Sequence, residues 1–329
     1  MQVIPIHHVL FLLGFGFQNS LGFPILYSSL ISNPPSKKIH SSDPLPSDSF
    51  VEWESSGKGN MKKEFWNDSV VVITGASSGI GKALLEELVM YPCQLVLLAR
   101  RAGDIAEPET KHKDCVLHRV TCDLSDPSSV QDAIEWTMKR VDRVDVLFNN
   151  AGITAHGRFD SLTMEVYQKT FATNFFGPIQ FIRGLLPLVL KAKGNIVTTS
   201  TVSALYGVPG RAAYSASKSA LHAALESLRI ESLLEGIGVS LVCVPYTDTA
   251  LRTSGLTADG KVLAEAPAKG KRKSAKEVAQ VLMEVAKDKE ARLVTFNLSG
   301  KFLEWMRFFS PKFLEKILYK KLYNDFKTH

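Results

Sequence analysis

A run rich in β-branched residues, VVVIT (70–74), passes without a break into the glycine-rich turn TGASSGIGKAL (74–84), which then takes on a helical pattern. A strand that ends in such a corner hands the chain to a helix that packs back against it. The alternation recurs. QLVLLA (94–99), VLHRV (116–120), VDVLFN (144–149), NIVTTS (195–200), VSLVCVP (239–245) and RLVTF (292–296) read as strands, and most of these runs are apolar throughout instead of alternating. Strands of that kind are covered on both faces. Helical stretches separate them: one at 127–140, opened by Asp126 as cap and Pro127 in its first turn, one at 163–190, and one from Tyr214 with Leu221, Ala224, Leu225 and Leu228 at helical spacing. The pattern predicts an α/β fold, a doubly wound parallel sheet of about seven strands in a single domain.

The 329 residues are 45% apolar, enough to bury one full core. Cys93, Cys115, Cys122 and Cys243 are scattered without a CxxC pair, and His112, His118, His156 and His222 lack metal-ligand spacing. Packed, reduced thiols, plain surface or core histidines and no metal site are therefore expected. The net charge of +6 is mild, and its basic residues gather around Lys269 to Lys276 and in the tail with no nucleic-acid signature, which argues against nucleic acid as a partner.

Both ends differ from the middle. Met1 to Ser36 carries no Lys, Arg, Asp or Glu, and VLFLLGFGF (9–17) and LGFPILYSSLI (21–31) are membrane-like, although Gln18, Asn19 and Pro24 interrupt them. Residues 32–60 turn rich in Ser and Pro, as linkers do. Residues 1–60 thus read equally as an apolar anchor or signal and as a dispensable extension ahead of Met61. The fold is expected over 61–300, with a substrate lid around 249–274. In the tail, 301–329, Leu314, Leu318 and Leu322 stack at i+4 spacing with Lys312, Lys316 and Lys320 offset from them. Such a helix either packs on the domain or a partner subunit, or lies at a membrane surface.

In the glycine-rich turn, Gly75 permits a tight bend, Gly79 lets the backbone approach a pyrophosphate, and Gly81 allows close packing of helix on strand. The helix N-terminus offers N–H donors and a positive dipole to phosphate. This is a Rossmann-like dinucleotide corner. Where an NAD reader carries an acid at the end of its second strand, this chain has Ala99, Arg100 and Arg101. Arginine suits a 2′-phosphate, so NADP(H) is expected over NAD(H). Further on, YSASK (214–218) puts Tyr214 and Lys218 one turn apart on a helix, where an ammonium can draw the phenol's proton affinity toward neutral pH.

TGASSGIG (74–81), CDL (122–124), NNAG (149–152), NFFG (174–177) and YSASK (214–218), in that order, resemble the short, single-domain branch of the short-chain dehydrogenase/reductases across nearly all of residues 65–300. The resemblance implies that Gly75, Ser77, Ser78, Gly79, Ile80 and Gly81 hold the dinucleotide with Arg100 and Thr249. It further implies that Asp123 meets the adenine and that Asn149 and Ala151 lie along the cofactor. Tyr214 would be the acid/base, Lys218 would bind the nicotinamide ribose and depress the tyrosine pKa, and Asn174 would hold a water in a proton relay. Two positions depart from the pattern. Thr201 stands where the family has the serine that bonds the substrate oxygen, with Ser200 and Ser203 as flanking alternatives, and Tyr246 replaces the glycine after Pro245.

The implied reaction is hydride transfer between a nicotinamide and a carbonyl or secondary alcohol, with Thr201 polarising the oxygen. A small-molecule substrate, lipid-like or steroid-like if the tail lies on a membrane, a homo-dimer or homo-tetramer, and a cytoplasmic or cytoplasm-facing, membrane-associated location go with it. Competing readings are a non-catalytic NADPH-binding homologue and a sugar-nucleotide epimerase-type relative. The glycine spacing and the short remainder of the chain argue against the latter.

Overall fold

Strands β1 (Val70–Thr74), β2 (Gln94–Ala99), β3 (Val116–Thr121), β4 (Val146–Asn149), β5 (Asn195–Ser200), β6 (Gly238–Cys243) and β7 (Leu293–Thr295) form one sheet in the computed structural model. Its order is β3-β2-β1-β4-β5-β6-β7, and every pairing is parallel. The structure describes residues 63–247, 249, 255–263, 272–296 and 306–327. The apolar leader and part of the lid segment read from the sequence lie outside the described residues.

All five residues of β1 and all six of β5 and of β6 are buried, as in strands covered on both faces. Alternate side chains feed two cores. Val71 and Ile73 join Leu84, Leu85 and Leu88 of α1 (Gly79–Leu88) and Val278, Leu282 and Val285 of a helix at Ala275–Val285. Val70 and Val72 face the other way, toward α2 (Pro127–Arg140), the helix Gly177–Ala192 and the helix Ala212–Glu231. Each such side chain contributes about 1.5–3 kcal/mol by leaving water. Strand order reverses between β1 and β4, so a crevice opens at their carboxyl ends, where ligands of doubly wound sheets bind.

The stretch read as one helix over 163–190 is three pieces. Thr163 caps α3 (Met164–Phe171) by accepting from the Val166 N–H. A π-turn, Ala172–Phe176, follows, and α4 runs Gly177–Ala192 with Pro187 inside it. A Cβ on Gly177 would lie 1.9 Å from the Leu124 carbonyl oxygen, so the helix approaches that backbone as only glycine can. By length and composition, Met164–Ala192 could cross a membrane. Phe181, Ile182, Leu185 and Val189 are instead buried against the sheet.

Helix α5 is Ala212–Glu231, and α6 (Ala275–Val285) starts at a capping box in which Ser274 and Glu277 serve each other's backbone. Between Arg100 and β3 lies only a short 3₁₀ turn, Ala102–Asp104. Of the lid segment, residues 255–263 return to the site: the His156 N–H donates to Leu256 O and the Leu256 N–H to Thr154 O, both at 2.8 Å. The tail forms α7 (Pro311–Lys327), with Leu314 fully buried.

Candidate active site

The turn after β1 is held by Gly75 and Ala76, whose N–H groups donate to Leu98 O at 2.8 and 3.0 Å. Gly75 (φ 71°) and Gly79 (φ 55°) occupy the left-handed region that a side chain disfavours. Ser78, at the N-cap of α1, makes no side-chain cap, so the first-turn N–H donors stay open toward an anion. Gly81 differs from its expected part. A Cβ there would sit 2.2 Å from Gly75 O, so the residue packs helix against turn more than helix against strand. Thr249 closes over the cradle, its Cβ and Cγ2 3.1 Å from where a Gly79 side chain would begin. An uncapped helix start, two left-handed glycines and a bare backbone cradle fit a dinucleotide pyrophosphate.

Beside Ser77 a cavity of about 400 Å³ lies between α1 and residues 104–110, away from Tyr214. Arg101 is taken by Asp104 at 2.6 Å. Arg100 is exposed and makes no ion pair among the described residues, so it is the arginine free to meet a phosphate. Asp123 receives the Ser125 N–H and hydroxyl on one carboxylate oxygen, at 2.9 and 2.7 Å, leaving the other for a ligand.

Asn149 is buried and ties β4 to Thr198 at 3.4 Å, but its neighbour does more. Asn150 donates its N–H to Thr74 Oγ1 (2.9 Å) and its amide to Thr74 O (3.1 Å), and accepts from Thr199 Oγ1 (3.2 Å). It therefore laces the ends of β1, β4 and β5 together. Ala151 adds its own N–H to Thr74 Oγ1 at 3.1 Å. The NNAG run signals this position, but nothing in the sequence says which asparagine bridges the strands.

Helix α5 brings Tyr214, Lys218 and His222 along one face. The Thr201 hydroxyl draws down the proton affinity of the Tyr214 phenol and accepts the Ser203 N–H at 3.2 Å. Ser200 does not compete: its hydroxyl is buried and shared with His222 Nε2 at 2.5 Å. Lys218, 5% exposed, gives Nζ to Thr199 O at 3.2 Å. Asn174, inside the π-turn and fully buried, accepts from Ile153 N–H (2.8 Å) and donates to Ile153 O (2.9 Å) and Ser217 Oγ (3.0 Å). Its side chain is thus committed to the protein. Gly152 lies between these groups, with Asn174 Oδ1 3.1 Å and Lys218 Nζ 3.4 Å from the place of a Cβ.

The electrostatics depart from expectation. Burial pushes the Tyr214 phenol up to about 12, opposed by Arg211 and the Thr201 hydroxyl and aided by Cys243 and Tyr246. Lys218 is absent from the groups that pull it down; burial lowers that lysine itself to about 8. Its ammonium is turned to the Thr199 carbonyl. In the protein by itself desolvation outweighs the amine one turn away. Arg211, which sequence reading passed over, is held by its Nη1 on Thr154 Oγ1 at 2.9 Å. Tyr246 is 58% exposed and is not among the residues with positive φ, so the absence of glycine there leaves no left-handed strain. Among the described residues no cluster of three His, Cys, Asp or Glu side chains could hold a metal.

The fold is a doubly wound sheet of the kind whose strand ends receive nucleotides. Residues 69–259 match the family model for short chain dehydrogenase. A dehydrogenase/reductase SDR family protein 7-like of Anopheles gambiae is 31% identical over 268 residues, 78% of this chain and 83% of that one. A short chain dehydrogenase from Burkholderia cenocepacia, crystallised with NADP, superposes with a TM-score of 0.63 at 20% identity, covering 77% of this chain and 98% of that one. Another from Burkholderia phymatum, crystallised with NAD, gives 0.57 at 24% identity, over 69% and 89%. The chain belongs to the short-chain dehydrogenase/reductase family of oxidoreductases.

Proposed function

We propose that the chain is an NADP(H)-preferring oxidoreductase that interconverts a carbonyl and a secondary alcohol on a small-molecule substrate, with Tyr214 as the acid/base. The observation that carries this reading is the convergence of Tyr214, Thr201 and Lys218 at the carboxyl end of β5, beside an open phosphate cradle. When bound, the nicotinamide supplies or accepts the hydride. Gly75, Ser77, Ser78, Gly79, Ile80, Gly81 and Thr249 hold its pyrophosphate, Asp123 the adenine, and Asn149 and Ala151 line it. Arg100 supports NADP(H) over NAD(H), being exposed at the end of β2 with no ion pair among the described residues.

Thr201 donates its hydroxyl to the substrate oxygen. Tyr214 delivers a proton to that oxygen in reduction and takes it back in oxidation. The buried Lys218 ammonium holds the nicotinamide ribose, and Asn174 holds a water in the proton relay.

Phe308, Phe309, Phe313 and Tyr319 of the tail are exposed beside Lys312, Lys316 and Lys320, which supports contact with a membrane surface and an apolar, lipid-like or steroid-like substrate. Arg307 donates to Leu205 O at 2.6 Å, joining the tail to the loop after Thr201. Exposed Met164, Phe176 and Ile230 on α3, at the π-turn and on α5 support a homo-dimer or homo-tetramer. The same tail supports membrane association within a cytoplasmic or cytoplasm-facing location.

The test is turnover of the full chain with NADPH and NADH against aldehydes, ketones, steroids and 3-oxoacyl compounds, alongside Tyr214→Phe. Reduction that stops in the variant while NADPH still binds supports the reading. Undiminished turnover in Tyr214→Phe, or tight NADPH binding with no turnover of any compound by the parent chain, removes it.

A further inference from the structure

Three consecutive residues at the end of β5 each meet a residue of α5. The Thr199 carbonyl takes Lys218 Nζ at 3.2 Å and the Ser200 hydroxyl meets His222 Nε2 at 2.5 Å, while the Thr201 hydroxyl lowers the proton affinity of the Tyr214 phenol. Tyr214, Lys218 and His222 are spaced by four, so they share one face of the helix. The outer two contacts involve the groups that do chemistry. In the middle one the two side chains are spent on each other, with Ser200 and His222 2% and 5% exposed.

We infer that His222 is a positioning residue for the acid/base pair: its bond to Ser200 fixes the last turn of β5 against α5, so that Thr201 and Thr199 meet Tyr214 and Lys218 in register. The inference rests on the proposed role of Tyr214.

A β-strand can slide against a helix packed on it, because apolar contacts are non-directional and tolerate small shifts. A buried hydrogen bond does not slide, since separation by an ångström strands two polar groups out of water. Ser200 lies between the two residues whose exact placement matters, and any shift of its backbone moves both neighbours. Ser219 Oγ on Ala204 O (2.7 Å) pins the following 3₁₀ turn to the same helix, which leaves residues 199–204 held at both ends. Burial and the Lys218 ammonium keep the imidazole down at about 4, so it is neutral through the range in which the enzyme would be assayed and the clamp does not loosen there.

The experiment uses the full chain with whichever compound of the carbonyl panel it reduces fastest, and measures kcat, KM for NADPH, and amide hydrogen exchange over residues 199–205. His222→Leu is expected to lower kcat roughly tenfold with KM for NADPH within about twofold, because the machinery is misaligned while the phosphate cradle is untouched. His222→Gln, which keeps a hydrogen-bonding end, recovers most of kcat. Ser200→Ala matches His222→Leu, and the double variant is no slower than either, as for two halves of one contact. Exchange over 199–205 quickens in His222→Leu and not in His222→Gln.

Parent-like kcat in a folded His222→Leu, losses that multiply in the double variant, or unchanged exchange each overturn the inference. The exchange arm needs no turnover, so it decides the matter even if the carbonyl panel gives none. If Tyr214→Phe works undiminished, the acid/base reading fails; if Tyr214→Phe is dead and His222→Leu is indifferent, only this inference fails.

Discussion

Gly81→Ala puts one methyl group into the tightest point of the phosphate cradle. Its Cβ would lie 2.2 Å from Gly75 O, 2.8 Å from Gly75 C and 2.9 Å from Asn150 Nδ2. Non-bonded heavy atoms rest at about 3.5–4.0 Å, so the turn must retreat by about 1 Å. It has nowhere to go: the place of a Gly75 Cβ is 3.0 Å from Ala151 Cα, and the Gly75 and Ala76 N–H groups are bonded to Leu98 O. Overpacking costs about 1–3 kcal/mol, and a lost turn hydrogen bond adds about 1 kcal/mol. The expected total is about 2–4 kcal/mol, read as a lower urea midpoint. Every 1.4 kcal/mol that falls on the cradle weakens NADPH about tenfold, so quenching of intrinsic fluorescence should report at least that loss. Gly103→Ala is the control, because no heavy atom lies within 4 Å of its Cβ position. If both variants melt alike and bind NADPH alike, close approach at Gly81 is not what builds the cradle.

Thr201→Ser is expected to stay within a few-fold of the parent turnover and Thr201→Ala to fall roughly 10–100-fold, measured as kcat; equal rates for Ser and Ala would show that the hydroxyl is idle. Arg100→Asp should weaken NADPH and not NADH, lowering the ratio of their affinities about tenfold or more in paired titrations; an unchanged ratio would remove Arg100 from cofactor choice. His222 titrates at 6.5 in the unfolded chain and near 4 when folded, so between those values the unfolded chain holds a proton that the folded one refuses. Stability is therefore full above about pH 6.5 and falls as pH drops toward 4, by about 3 kcal/mol at most. Urea midpoints at neutral and acid pH should show a shallower acid loss in His222→Gln, and parallel curves would contradict the shift.

The sheet was legible because unbroken apolar runs have one reading once helices separate them: β1, β2 and β5 begin and end where VVVIT, QLVLLA and NIVTTS do. The sequence of β4 promised two more residues, but Val144 and Asp145 are spent on contacts with Leu188 and β1, ahead of the ladder. The break at 172–176 was marked only just past its end, by Gly177 and Pro178 at the start of α4, and Pro187 sits inside that helix without ending it. The site divides in the same way. Glycine positions and the Tyr214–Lys218 spacing are local patterns. The pairing of Ser200 with His222, the bridging by Asn150 and the field of Arg211 join residues distant in sequence or depend on burial, which spacing does not encode. Desolvation of Tyr214 likewise overrides a neighbouring cation only once the helix has been packed.

The π-turn bears on which insertions and deletions this chain tolerates. It amounts to one surplus residue carried within otherwise α-helical winding. Deleting any one residue of 172–176 would let the hydrogen bonds revert to the ordinary helical frame without breaking the helix. Each residue of an α-helix turns by about 100°, so everything on one side of the deletion would swing relative to the other. Asn174 would leave Ile153 and Ser217, and Gly177 would leave the Leu124 backbone, in a protein that still looked intact by helix content. Length here is thus constrained to the single codon.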